Sequence, residues 1–203
     1  MDENNAVLMV ADNVYRIGPS ARQPGSLDPN IYLVVSGEEA ALVNAGPYQT
    51  FDELMDAASS LIAPEKLVLV ALTTAAADMC SALPLVEKKS PGAHVAMHWR
   101  TSRMVSERIS SLPPFIVNEN RWEFSFRNGK KLLFFPSAYL SSPGEIQVFE
   151  PESSVLFSSS LFSSFTSGTG ELAFDYRQME PLIAYHEHYM PDSRTIKSIL
   201  EKI

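Results

Sequence analysis

The chain is poor in three things, and each shortage narrows what it does. Cysteine is the first: Cys80 is the only one in 203 residues. No internal disulfide can form, which is the usage of a reducing compartment. Long apolar runs are the second. No segment approaches the ~20 residues that a membrane-spanning helix requires. The N-terminus, MDENNAVLMVADN, opens acidic, and its apolar run is too short for a signal peptide or an anchor. A cytoplasmic protein without membrane association is the expectation. Positive charge is the third. Sixteen Lys and Arg stand against 24 Asp and Glu, a net charge of −8, and Lys88-Lys89 and Lys130-Lys131 are the only adjacent lysines. Neutralising phosphates needs clustered basic residues, so a nucleic-acid partner is excluded. The sequence also contains no Gly-x-Ser-x-Gly. Ser167-Gly168-Thr169-Gly170 is Gly-rich but lacks the Lys and the strand-to-helix setting of a phosphate loop, and reads as a turn.

What is present is an ordinary core-forming composition, 45% hydrophobic and 20% charged, on a length that suits one domain over residues 1–203. The first third reads as strands: Asn13 to Ile17, then Ile31 to Val35 and Ala40 to Val43 as a hairpin across Ser36-Gly37-Glu38-Glu39. From Thr50 the period changes to helical, with Phe51, Leu54, Met55, Ala58 and Leu61-Ile62 on one face. Leu67 to Leu72 is a continuous apolar run, the pattern of a strand covered on both faces. Helices are predicted over Asp78 to Lys88 and Arg100 to Ser111, with a strand at Ala93 to Met97 between them. Strands follow at Arg121 to Phe126, Lys131 to Phe135, Glu145 to Glu150 and Ser154 to Phe157, with Asn128-Gly129 as a hairpin turn. Ser158 to Gly170 reads as a loop, and Tyr176 to Tyr189 and Ser193 to Ile203 as two helices broken at Pro191.

This order resembles the metallo-β-lactamase fold, an α/β (α+β) αββα sandwich. Particular stretches sharpen the resemblance toward the core of flavodiiron proteins and the oxygen-binding di-iron proteins. They are Val14-Tyr15-Arg16-Ile17-Gly18 with Ile31 to Val35, Ala41-Leu42-Val43-Asn44-Ala45-Gly46, the run Val155 to Phe162, and Tyr185 to Pro191 with the helix after it. The family's last metal-binding His lies on a strand beyond the segment that matches Thr195 to Ile203. Either the protein is naturally short and lacks that final strand, or these residues lead a longer polypeptide with a downstream output domain.

The resemblance implies a di-metal site on the loop after the buried strand, in the order His, any residue, Glu or His, any residue, Asp, His. Here that loop reads Thr73-Thr74-Ala75-Ala76-Ala77-Asp78-Met79-Cys80. Alignment on Asp78 places Thr74 and Met79 where the family has His and Ala76 where it has Glu or His. Ser141 stands at the next His, Ser160 at the bridging Asp, and Asn44 at an early structural Asp. Hydroxyl and methyl groups are poor iron or zinc ligands. Without the metal there is no activated water and no Lewis acid. No cofactor is expected, and the catalytic set is empty.

Other candidates read blandly. His186 and His188 flank Glu187 at a spacing that splays two side chains on a helix, and His94 and His98 straddle a strand and its exit. Cys80 is a structural cysteine unless a nearby charge lowers its pKa. Phe162, Phe165 and Tyr139 fall on loops around the site's mouth, where binding residues gather. The expectation is a non-catalytic sensory, regulatory or protein-interaction domain, a homodimer with a signalling domain or protein partner. The alternative is a metal-dependent oxidoreductase or hydrolase that uses Asp78 with ligands borrowed from His186 or His188. A flavin-dependent role lacks the flavin domain it would need.

Overall fold

Among the described residues, seven strands make one sheet in sequence order: β1 (Val7–Ala11), β2 (Val14–Ile17), β3 (Ile31–Ser36), β4 (Glu39–Val43), β5 (Leu67–Ala71), β6 (His94–Met97) and β7 (Pro114–Ile116). β1 to β4 pair antiparallel, and β4 to β7 pair parallel. Parallel neighbours need crossovers. Helix α1 (Phe51–Ser59) supplies the first, and α2 (Ala77–Cys80) with α3 (Leu83–Lys89) the second. A second sheet is an antiparallel meander of β8 (Glu123–Ser125), β9 (Lys131–Pro136), β10 (Ile146–Glu150) and β11 (Val155–Phe157). The computed structural model describes residues 6–18, 29–105, 109–165, 176, 179–190 and 192–202. The predicted turn at Ser167-Gly168-Thr169-Gly170 lies outside them.

Two apolar layers hold the sandwich. Leu42, Val70, Leu72 and Val95 pack with Leu54, Met55, Leu83 and Val86 of the helices. Val34, Val43, Leu69 and Ala71 meet Leu132, Phe134, Ile146 and Val148 between the sheets. Each large side chain fully buried this way contributes about 1.5–3 kcal/mol. The two-sided burial explains why β4 and β5 read as unbroken apolar runs. A bulge sorts β5 between the layers: the register slips between Ala40 and Ala41, opposite Leu67 and Leu69. Leu67 therefore joins the helix layer with Val70 and Leu72, while Leu69 faces the second sheet. At one end, α5 (Met179–Tyr189) and α6 (Ser193–Leu200) dock through Met190 and Ile199 on Leu140 and Leu161.

Several elements differ from the sequence expectation. The apolar run Val7–Ala11 is an edge strand. Pro114, expected to end a helix, starts β7, an edge position where a missing N–H costs nothing. The helix expected over Asp78 to Lys88 is two pieces, because Pro84 fits only in the first turn of a new helix. The helix expected over Arg100 to Ser111 is the short α4 (Trp99–Ser102). Ser110 and Ser111 instead give their hydroxyls, and Ser111 its amide, to the Glu87 carboxylate.

Candidate functional site

Four connections meet where β4 and β5 end, β9 turns into β10, and β11 stops. Asn44 leaves β4 in the left-handed region (φ 66°), and its buried Oδ1 accepts the Thr73 amide at 2.9 Å and the Thr73 hydroxyl at 3.0 Å. The Ile146 amide donates back to the Thr73 carbonyl at 3.0 Å, tying the two sheets together. Thr74 donates to the Ser142 hydroxyl at 3.1 Å. Gly144 is forced by packing: a Cβ there would lie 2.4 Å from Thr101 Oγ1. That hydroxyl donates to the Gly144 carbonyl at 2.7 Å.

At the centre sits Glu145, with no exposed surface. Its Oε2 accepts the Ser141 hydroxyl at 2.6 Å, the Ser141 amide at 2.9 Å and the Ser142 amide at 3.3 Å. Its Oε1 accepts the Ser160 amide at 2.9 Å. Because the Ser141 proton points at the carboxylate, the 2.7 Å contact between the Ser141 and Ser160 hydroxyls is donated by Ser160. Tyr185 from α5 completes the group. Burial pushes its phenol up from the ordinary value and the Glu145 charge adds to this, while its hydrogen bonds with Ser163 and Ser160 oppose it. The result is a chain of hydroxyls ending on a buried carboxylate. The sequence reading missed Glu145 as a site residue. Its one signal is a charge, straight after Gly144, at the head of a strand that is otherwise buried.

The structure therefore brings Thr74, Ser141 and Ser160 into one polar cluster. Asp78, Ala76 and Met79 lie farther along the loop and on α2. Ala76 is exposed, while Asp78 and Met79 are half-buried. The Met79 carbonyl accepts the Ala45 and Gly46 amides and so fixes α2 to the β4 exit. Burial pushes the Asp78 carboxyl up, against the pull of its own and the Met79 amides. The buried Cys80 thiol is likewise pushed up by burial and then by the Asp78 charge, the opposite of an activated thiolate. Both nitrogens of His186 are engaged: Nε2 accepts the Phe162 amide at 3.2 Å and Nδ1 pairs with the Leu182 carbonyl at 2.8 Å. His188 is exposed beside Phe165 and Tyr189. His94 is exposed, whereas His98 is buried, where its Nδ1 caps α4 by accepting the Arg100 amide. Tyr139 and Phe162 stand exposed beside Ser141 and Ser160, with Arg100 stacked over the Tyr139 ring at 5.5 Å. Among the described residues no three His, Cys, Asp or Glu converge in a way that suits a metal ion.

Two outcomes follow from this geometry. Glu145→Ala leaves four donors facing a void, at about 1–3 kcal/mol for each group left unpaired. Urea unfolding should show a loss of at least ~3 kcal/mol, and a loss below ~1 kcal/mol would contradict the network. For Asp78 the folded state holds its proton more tightly than the unfolded chain, so the ionised group costs stability at neutral pH, a cost removed as pH falls through the raised value. Asp78→Asn should raise the unfolding midpoint at pH 7, and the gain should vanish toward pH 3.

Comparison with known proteins agrees with the architecture. The family model described as ODP family beta lactamase matches residues 27–203. No curated protein matches the sequence. Among solved structures, the chain is similar to the diflavin flavoprotein A 5 fragment 1–254 from Nostoc sp. PCC 7120, at 17% identity and TM-score 0.79. It covers 98% of this chain and 83% of that one. A chemotaxis sensor ODP in its peroxy diiron state matches at 19% identity and TM-score 0.79, over 98% of this chain and 81% of that one. The Flv1 flavodiiron core from Synechocystis sp. PCC6803 matches at 18% identity and TM-score 0.78; the match spans 98% of this chain and 53% of that longer one. At these identities the likeness is one of fold, the metallo-β-lactamase-like sandwich of two sheets with helices. With the family model spanning the chain from residue 27 to its last residue, the protein belongs to the ODP family of beta-lactamase-fold proteins.

Proposed function

We propose that the chain is a sensory or protein-interaction domain of the ODP family that works without a di-metal centre. The observation that carries the reading is the closed Ser141–Glu145–Ser160 network. Two of the positions aligned with family ligands hold serines, and their hydroxyls are spent on each other and on a buried carboxylate. Thr74 is likewise committed to Ser142. Of the six aligned positions, Asp78 alone has a side chain that iron or zinc binds well. This donor set does not fit a di-iron centre. The alternative, an unorthodox metal site at Asp78 with His186 or His188, requires His186 to give up the Phe162 amide at Nε2 before that nitrogen binds an ion.

A sensory role draws on the chemotaxis sensor among the similar structures. It is supported here by a hydroxyl-lined cluster around the Glu145 carboxylate, beside exposed aromatic residues. Elemental analysis tests the metal part: protein purified without chelator from iron-replete cells should carry well below one iron or zinc per chain. Stoichiometric metal, lost in Asp78→Ala, would overturn the reading. The reading includes a homodimer, which should appear as twice the 22.5 kDa chain mass in light scattering; a monomer at high concentration removes that part.

A further inference from the structure

His98 stands where β6 passes into α4. Its ring centre lies 5.9 Å from that of Trp99 and 5.8 Å from that of Trp122, with the planes tilted by 36° and 34°, and the residue is only 5% exposed. Its Nδ1 accepts the Arg100 amide at 3.2 Å, while Asn118 Oδ1 accepts the Trp99 amide at 3.1 Å. Two of the amides that open this four-residue helix are thus met by side chains. Trp122 reaches the ring through two consecutive left-handed residues, Arg121 (φ 56°) and Trp122 itself (φ 59°). That conformation is costly for bulky side chains and persists only where the surroundings enforce it.

α4 in turn clasps the β9–β10 loop. Thr101 donates to the Gly144 carbonyl, and the Arg100 guanidinium lies 4.8 Å from the Trp99 ring centre and 5.5 Å from that of Tyr139. The loop held this way carries Ser141, Ser142 and, at its end, Glu145. A nitrogen that accepts a hydrogen bond keeps its lone pair, so this arrangement requires a neutral imidazole with its proton on Nε2. Protonation turns a second N–H against the Arg100 amide and sets a positive charge beside the Arg100 guanidinium. Indole faces favour a cation, but both ring centres lie near the ~6 Å limit of that attraction. Burial first, and then the Arg100 charge, hold the His98 pKa below its ordinary value, and no carboxylate opposes them. Of the charged residues on the segment around Trp122, Glu119 and Arg121 are exposed and Glu123 is paired with Lys131.

We propose that α4 is a proton-operated latch on the β9–β10 loop, closed while His98 is neutral and released when it is protonated. The closed form binds the proton less well than an open form in which His98 meets water. Closure is therefore complete above the histidine range and weakens as pH falls through it. Release parts Arg100 from Tyr139 and Thr101 from Gly144, which loosens the outer side of the loop around Ser141 and Ser142. No residue of α4 belongs to either apolar layer, so the sandwich itself stays folded. The latch is independent of whether the Glu145 cluster holds metal.

The two tryptophans of the chain are Trp99 and Trp122, so its intrinsic fluorescence reads this one place. Titration of the full chain from about pH 7.5 to about pH 5 should show a single-proton transition. Over the same range amide hydrogen exchange, corrected for intrinsic rates, should lose about threefold or more of its protection in residues 99–105 and 139–145. His98→Asn keeps an oxygen acceptor for the Arg100 amide at every pH and should abolish both changes. The proposal is overturned if the parent keeps its protection, even where fluorescence changes, or if His98→Asn loses protection as the parent does. Should His98→Asn fail to fold by circular dichroism, the NMR titration of the His98 ring in the parent decides. Its midpoint must coincide with that of the protection loss, and a mismatch overturns the latch.

Discussion

A carboxylate taken wholly out of water must be met by donors on every side, and Glu145 fixes one end of this molecule through that requirement. Its four donors come from Ser141, Ser142 and Ser160. The β9–β10 loop is thereby curled over its own strand, and the exit of β11 is held against it. Tyr185 extends the same demand to α5. The Thr74–Ser142 bond extends it to the β5 loop. The apolar layers give the sandwich its stability; the buried carboxylate gives this end its particular shape.

That arrangement bears on chemistry. A metal centre needs lone pairs that are free to point at a common ion, and a hydroxyl whose lone pairs and proton serve neighbouring protein groups offers poor coordination. In the proposed reading the family's pocket has become a self-satisfied polar cluster, with recognition left to the surrounding surface. Tyr139, Phe162 and the Arg100 stack stand there.

The legible parts of the sequence were those where one local force dominates. β3, β4 and β5 announce themselves because burial on one or both faces writes a pattern into the residues. The hairpin at Asn128-Gly129 was visible because Gly129 takes a φ of 87° and closes the turn onto the Phe126 carbonyl. β7 was hidden because two prolines look like a stop signal, and only its place at the sheet edge makes Pro114 acceptable. The short α4 was hidden because the pull of Glu87 on Ser110 and Ser111 comes from more than twenty residues away. At the site, the meeting of Ser141 with Ser160 was implied by family resemblance and not by spacing. Glu145 was invisible as a site residue because a glutamate at a strand start ordinarily faces water, and its donors lie on loops whose closure no local pattern encodes.

In the proposed reading this domain of the ODP family holds no di-iron centre, and anomalous X-ray diffraction checks that. Crystals grown with several equivalents of iron(II) under anaerobic conditions should show no iron-edge anomalous peak within bonding distance of Asp78, Ser141 or Ser160. The Ser141–Glu145–Ser160 hydrogen bonds should remain intact. Two peaks a few ångströms apart between those residues, with the serine network opened to receive them, would contradict it.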